Sequence, residues 1–187
     1  MEKCIIDLLS AITNVSSTYI RIIGLNDGNE RYEQAAENAF SAELYHQYKT
    51  IIENDNTEYY RRLELHYDLT KQRFNNRRPD LVLHISPDTR LDQRLYVEVK
   101  TSIRTTNYNS DFEKIILATA TNDNHNQLGY KNAVFISLRA HINEVKESIH
   151  NYIQKNGLEE DEKLNRIYCI HTLNAKEITI FKFNDLS

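Results

Sequence analysis

The chain predicts an α/β fold, an α+β mixed sheet flanked by helices, on three observations. Apolar residues recur at three- and four-residue spacing over 30–53 and 141–156, the pattern of helices with one buried face. Short alternating or continuous apolar runs around 81–85, 95–99 and 133–138 have the length and pattern of strands. With two prolines, four glycines, 40% hydrophobic and 27% charged residues, the 187-residue chain has the composition of an element-rich globular protein and the length of one domain, 1–187.

Taken in order, residues 2–13 form an amphipathic helix with Ile5, Ile6, Leu8, Leu9 and Ile12 as its apolar members. A short apolar run at 20–24 fits either helix or strand, and Asn26-Asp27-Gly28-Asn29 reads as a turn. The strongest helix covers 30–53, with Ala36, Phe40, Leu44, Tyr48 and Ile51 on its buried face. Glu37 falls inside that apolar sector. A buried carboxylate is costly unless it is paired or bound to metal, so Glu37 is a candidate functional acid, against the alternative that it reaches solvent from the margin of the face. Glu33 shares the sector but sits in the first turn, where it complements the helix dipole. Glu43, on the edge, is the third choice.

Residues 58–69 alternate as a strand, with Leu63, Leu65, Tyr67 and Leu69 on one face and Glu64, His66 and Asp68 facing solvent. A basic turn-forming connection, 71–78, leads into the central stretch, 77–102. This reads as two strands joined by a polar loop. Asp80, Val82 and His84 share one face of the first; Tyr96, Glu98 and Lys100 share one face of the second. Paired strands lie ~4.8 Å apart, so Asp80 and Glu98 can meet, with Lys100 one pleat repeat (~7 Å) further on. Two acids and an amine at one sheet edge suit a hard divalent cation and a phosphate. His84 shares the face of Asp80 but reads as a structural partner.

After Lys100, Ser110-x-x-Glu113 reads as a capping box opening a helix over 111–121, with Phe112, Ile115, Ile116 and Ala120 inward; Asp111 and Lys114, near its start, could face the site, against the more usual surface position. An Asn-rich loop, 121–127, precedes a buried strand at 133–138. The helix at 141–156 stops at Gly157, and 159–163 is an acidic tip. Strands at 166–173 and 177–183, separated by Asn174-Ala175-Lys176, read as a hairpin.

Pro79-Asp80, then seventeen residues, then Glu98-Val99-Lys100 resembles the signature of the PD-(D/E)XK nuclease superfamily, in a small single-domain bacterial type. The resemblance covers about 30–139, and Glu37-x-x-Phe40-x-x-x-Leu44 resembles the acid-bearing helix of that superfamily. It implies a restriction-endonuclease-like core ordered helix-strand-strand-strand-helix-strand; the N-terminal helical segment and the C-terminal helix plus β-hairpin read above would flank it. It also implies a metal-dependent nuclease that hydrolyses phosphodiester bonds, DNA first. Asp80, Glu98, Lys100 and Glu37 would be the catalytic set. Asp80, Glu98, the Val99 carbonyl and Glu37 would hold Mg²⁺ (or Mn²⁺), and a homodimer would suit double-strand cutting.

Net charge is −4, an unpromising value for a nucleic-acid partner. Its distribution is uneven: residues 61–104 carry ten Lys and Arg against six Asp and Glu, and the remainder is −8. Lys71, Arg73, Arg77, Arg78 and Arg104 are therefore the candidate phosphate contacts. Cys4 and Cys169 are too few for a disulfide scaffold or a zinc site, which points to a reducing, cytoplasmic setting. No apolar run approaches the ~20 residues of a membrane span, and the N-terminus lacks the pattern of a secretion signal. Gly-rich phosphate loops, nucleophile elbows and His-x-x-x-His or Cys-x-x-Cys metal patterns are also missing. The competing function is a non-catalytic nucleic-acid-binding or regulatory module that retains the nuclease fold.

Overall fold

Six strands line up in one open mixed sheet in sequence order: β1 (Glu64–Tyr67), β2 (Leu81–His84), β3 (Leu95–Lys100), β4 (Asn132–Leu138), β5 (Ile167–Thr172) and β6 (Ile178–Lys182). They belong to a computed structural model that describes residues 1–21, 30–68, 78–85, 92–101, 108–120 and 128–187. The first three strands and the last pair are antiparallel, whereas β3–β4 and β4–β5 are parallel. Each parallel step needs a crossover. Helix α4 (Asn109–Thr119) lies between β3 and β4, and α5 (Ile142–Asn156) between β4 and β5. Before the sheet come α1 (Lys3–Asn14), α2 (Ser17–Arg21) and α3 (Glu30–Glu53).

Helices cover both faces. Cys4, Ile5, Leu8 and Ile12 of α1 and Phe40, Leu44 and Tyr48 of α3 bury against Leu81, Leu83, Leu95, Val97, Val134 and Ile136. On the other face, Phe112 and Ile115 of α4 and Val145, Ile149 and Ile153 of α5 bury against Val82, Tyr96, Phe135 and Cys169. Covering on both sides explains why β4 is buried along its whole length and reads as a continuous apolar run. The edge strand β1 is short and carries Glu64 and His66, which blunts it against further pairing. The Tyr48 hydroxyl donates to the Cys4 carbonyl over 2.9 Å and bolts α1 to α3. Among the described residues no helix is long and apolar enough to cross a membrane.

Two expectations need correction. The strand expected over 58–69 shrinks to β1, because Tyr59 and Tyr60 turn back towards the first helix. There the Tyr60 hydroxyl donates to Asp7 over 2.7 Å, and Leu63 N–H bonds to the Tyr60 carbonyl at 2.9 Å. Ser110 does not cap α4 either. It lies inside the helix, whose N-cap position is Tyr108. That phenol is buried, its ring 5.1 Å from Phe135 and 5.9 Å from Phe112, and this anchoring starts the helix before the capping-box residue.

Phe112 is the hub of this aromatic cluster, with Phe135, Tyr152 and Phe183 edge-on at 5.1, 5.5 and 5.5 Å. Phe112→Leu is expected to cost about 1–2 kcal/mol of unfolding free energy in urea, from lost edge contacts and a partly filled cavity. A change within experimental error would show that the cluster does not hold α4 on the sheet.

Candidate active site

The start of β2 and the end of β3 sit side by side, because Leu81 pairs with Val97 and the register puts Asp80 across from Glu98. Asp80 N–H donates to the Val97 carbonyl at 3.1 Å, and the Asp80 carboxylate accepts the Val99 N–H at 2.6 Å. That second bond pins the carboxylate against the strand bearing Glu98 and Lys100. Asp80, Glu98 and Lys100 share the sheet face of Val82 and Tyr96, which lie in the α4–α5 cluster.

Lys100 stands at the end of its strand and reaches both helical layers. Its Nζ is 3.4 Å from Glu37 Oε1 of α3 and 3.5 Å from Asp111 Oδ2 of α4. A second lysine completes the cluster: Lys114 Nζ lies 2.7 Å from Asp111 Oδ1 and 3.3 Å from Glu98 Oε2. The Tyr96 hydroxyl donates to the other Glu98 oxygen at 2.6 Å. Glu37, Glu98 and Asp111 are 8%, 4% and 1% exposed. Asp111 and Lys114, for which a surface position was the first expectation and the site the alternative, are thus part of the cluster. Their signal was present: Asp111 precedes Phe112 and stands four before Ile115, inside the buried arc of α4.

Four carboxyls sharing two ammonium groups leave the acids under-compensated. Burial pushes Glu98 up to about 8, with repulsion from Asp80 adding to it and Lys114 opposing it. Burial pushes Asp80 up to about 7, against the Val99 N–H and with the help of Glu37. Glu37 is also raised by burial, with Lys100 pulling the other way. For the lysines burial works towards the neutral form, but their acids outweigh it, and both Lys100 and Lys114 stay above their ordinary value.

The donor set is oxygen only and carries excess negative charge, which suits a hard divalent cation. Among the described residues, however, no three acids, imidazoles or thiols converge as a preformed metal cage. The ammonium groups stand where they space the carboxylates apart. The oxygen donors have the chemistry a hard divalent cation takes, and Lys114 is the group that occupies Glu98.

The other sequence candidates fall elsewhere. Lys71, Arg73, Arg77 and Arg104, and the Asn-rich loop, lie outside the described residues. Arg78 is exposed, 3.9 Å from Asp68. Glu43 bonds Gln47 at 2.7 Å within its own helix, and the Glu33 side chain is outside the described set. The Val99 N–H donates to the Asp80 carboxylate at 2.6 Å. His84 is buried with its ring edge-on to His66 at 4.9 Å, in keeping with a structural role. No protein-family model, curated protein or solved structure matches the chain.

Proposed function

We propose that this protein is a metal-dependent nuclease with a restriction-endonuclease-like core, hydrolysing phosphodiester bonds in DNA. One observation carries the reading: Asp80, Glu98, Lys100 and Glu37, far apart in sequence, meet at one end of the sheet with two acids under-compensated. The order α3, β1, β2, β3, α4, β4 supports the helix-strand-strand-strand-helix-strand core.

Asp80, Glu98 and Glu37 would hold Mg²⁺ or Mn²⁺, which when bound lowers the pKa of a ligated water and polarises the phosphate. Water oxygen attacks phosphorus, the bond from phosphorus to the leaving oxygen breaks, and that oxygen takes up a proton. Lys100, clamped between Glu37 and Asp111, orients the attacking water and offsets charge developing on the phosphoryl oxygens. Tyr96 fixes the rotamer of Glu98, and Lys114 neutralises it between turnovers.

A second reading has its own support. The two lysines already counter the acids without an ion, as a non-catalytic nucleic-acid-binding or regulatory module would require. Incubating the protein with plasmid, linear, branched and single-stranded DNA, and with RNA, in Mg²⁺, Mn²⁺ or EDTA separates the two. The nuclease reading expects divalent-dependent cleavage lost in Asp80→Ala and Lys100→Ala. Cleavage that both variants retain places the activity elsewhere, and calorimetry showing no Mg²⁺ or Mn²⁺ binding favours the module.

A further inference from the structure

The basic excess over 61–104 includes three arginines that the candidate active site leaves unused, and they gather round one cavity. Arg61 and Arg62 lead into β1, and Arg94 leads into β3. With Glu58, Tyr59 and Asp92 they line a space of about 210 Å³. Because β2 and β3 run antiparallel, they carry this cavity at one end and Asp80, Glu98 and Lys100 at the other. Arg94 precedes Lys100 by six residues, which places the two roughly 20 Å apart along the strand.

The cavity is built rather than a chance meeting of surface side chains. Arg94 N–H bonds to the Leu83 carbonyl at 2.9 Å, and the Arg94 carbonyl accepts the Asn132 N–H at 3.1 Å, so its backbone is fixed from both neighbouring strands. Its guanidinium lies 5.5 Å from the centre of the Tyr59 ring, with Nη2 3.2 Å from Asp92 Oδ1. One Arg61 nitrogen, Nη1, serves both Glu58 oxygens at 2.9 and 2.8 Å, which leaves the rest of that fork outside the pair. Among the described residues no carboxylate pairs with Arg62. Lys131 Nζ stands 3.4 Å from Asp92 and takes up part of its charge. Three guanidiniums against two carboxylates, one of them shared with Lys131, leave the cavity net positive.

Guanidinium forks match the oxygens of carboxylates and phosphates. Three of them round one space favour a phosphomonoester, which presents three terminal oxygens, over a carboxylate or a backbone phosphodiester, each of which presents two. The volume falls below the ~300 Å³ at which sites for drug-sized ligands begin, so it fits a phosphate group rather than a whole nucleotide.

We propose that Arg61, Arg62 and Arg94 form a binding site for a phosphomonoester group, carried on the end of a nucleic-acid strand or on a small molecule. The site stands apart from the nuclease reading, since it lies at the far end of the strands and needs neither metal nor turnover.

The test is calorimetry on the full chain in EDTA, at about 0.15 M NaCl to screen general charge attraction and at about pH 7.5 to keep the monoester dianionic. The titrants are inorganic phosphate, a short DNA strand phosphorylated at both ends, and its unphosphorylated twin. Inorganic phosphate is expected to bind at one site and to weaken at least about tenfold in Arg62→Gln and in Arg94→Gln, with thermal melts showing both variants folded. Lys155→Gln removes the same charge from the exposed last turn of α5 and is expected to leave the affinity unchanged. A wild-type chain that takes up no phosphate overturns the site, and so does wild-type affinity in Arg62→Gln. An equal loss in Lys155→Gln overturns it too, because the attraction is then general. The two strands identify the source. Tighter binding of the phosphorylated strand, lost in Arg62→Gln, supports a nucleic-acid end; phosphate binding with no difference between the strands supports a small phosphorylated molecule.

Discussion

Glu98→Gln is expected to lower divalent-dependent cleavage by at least about 10²–10³-fold while stabilising the metal-free protein at alkaline pH. The two effects have one cause. Glu98 is 4% exposed and is pushed up to about 8 by burial and by repulsion from Asp80. Ionising it is therefore unfavourable in the fold. Glutamine keeps the shape and can accept the Tyr96 hydrogen bond, but it removes that charge and the carboxylate oxygens that the proposed cation would take. Three carboxyls then share two ammonium groups. The expected gain is on the order of 1–2 kcal/mol, or roughly 2–4 °C in Tm for each kcal/mol in a chain of this size. Parallel melts at about pH 8.5 and cleavage assays read both. A large loss of stability with cleavage intact would make Glu98 a structural partner of Lys114 instead.

The metal-free protein should lose stability as pH rises from about 6 to 9, and Mg²⁺ should restore more of it at the upper end. Unfolded Asp and Glu release their protons near ~4. In the fold Asp80 holds its proton to about 7 and Glu98 to about 8, both chiefly through burial. Between these limits the native state binds more protons than the unfolded chain. This contribution to stability is therefore fully present below about pH 4 and lost as pH climbs through the folded values. The pair titrates together and Asp80 is only partly screened from water, so the total loss is on the order of 3–5 kcal/mol. A cation held by the same carboxylates displaces their protons. At a hundredfold excess over its Kd it adds about 2.7 kcal/mol, and the increment in Tm should be larger at about pH 8.5 than at pH 6. Chemical-denaturation curves across pH, with and without Mg²⁺, test this in wild type and in Glu98→Gln. A flat wild-type profile, or the same slope in the variant, would remove the coupled acids as its source.

Periodic patterns are legible where one principle governs them. Helix α3 was legible from its apolar stripe, and Glu37 stood out because it interrupted that stripe. Asp111 interrupts the stripe of α4 in the same way, but its place in the first turn left both a surface and a site-facing position open. Tertiary anchoring of Tyr108 overrode the capping box and turned Asp111 inward. The strand expected over 58–69 was a comparable trap: the alternation through Leu63, Leu65 and Tyr67 extends it back over residues that instead turn away, where Tyr60 is drawn to Asp7 of α1.

By itself the sequence determined helices α1, α3, α4 and α5, the order of the strands along the chain, and the expectation that Asp80 lies across from Glu98 if their strands pair, because period-two and period-3.6 patterns express local geometry directly. Only the tertiary structure decided that Lys114 serves Glu98 while Lys100 serves Glu37 and Asp111. Those partnerships depend on strand register across parallel crossovers and on which helix covers which face, and both are set by burying the two cores rather than by any local run of residues.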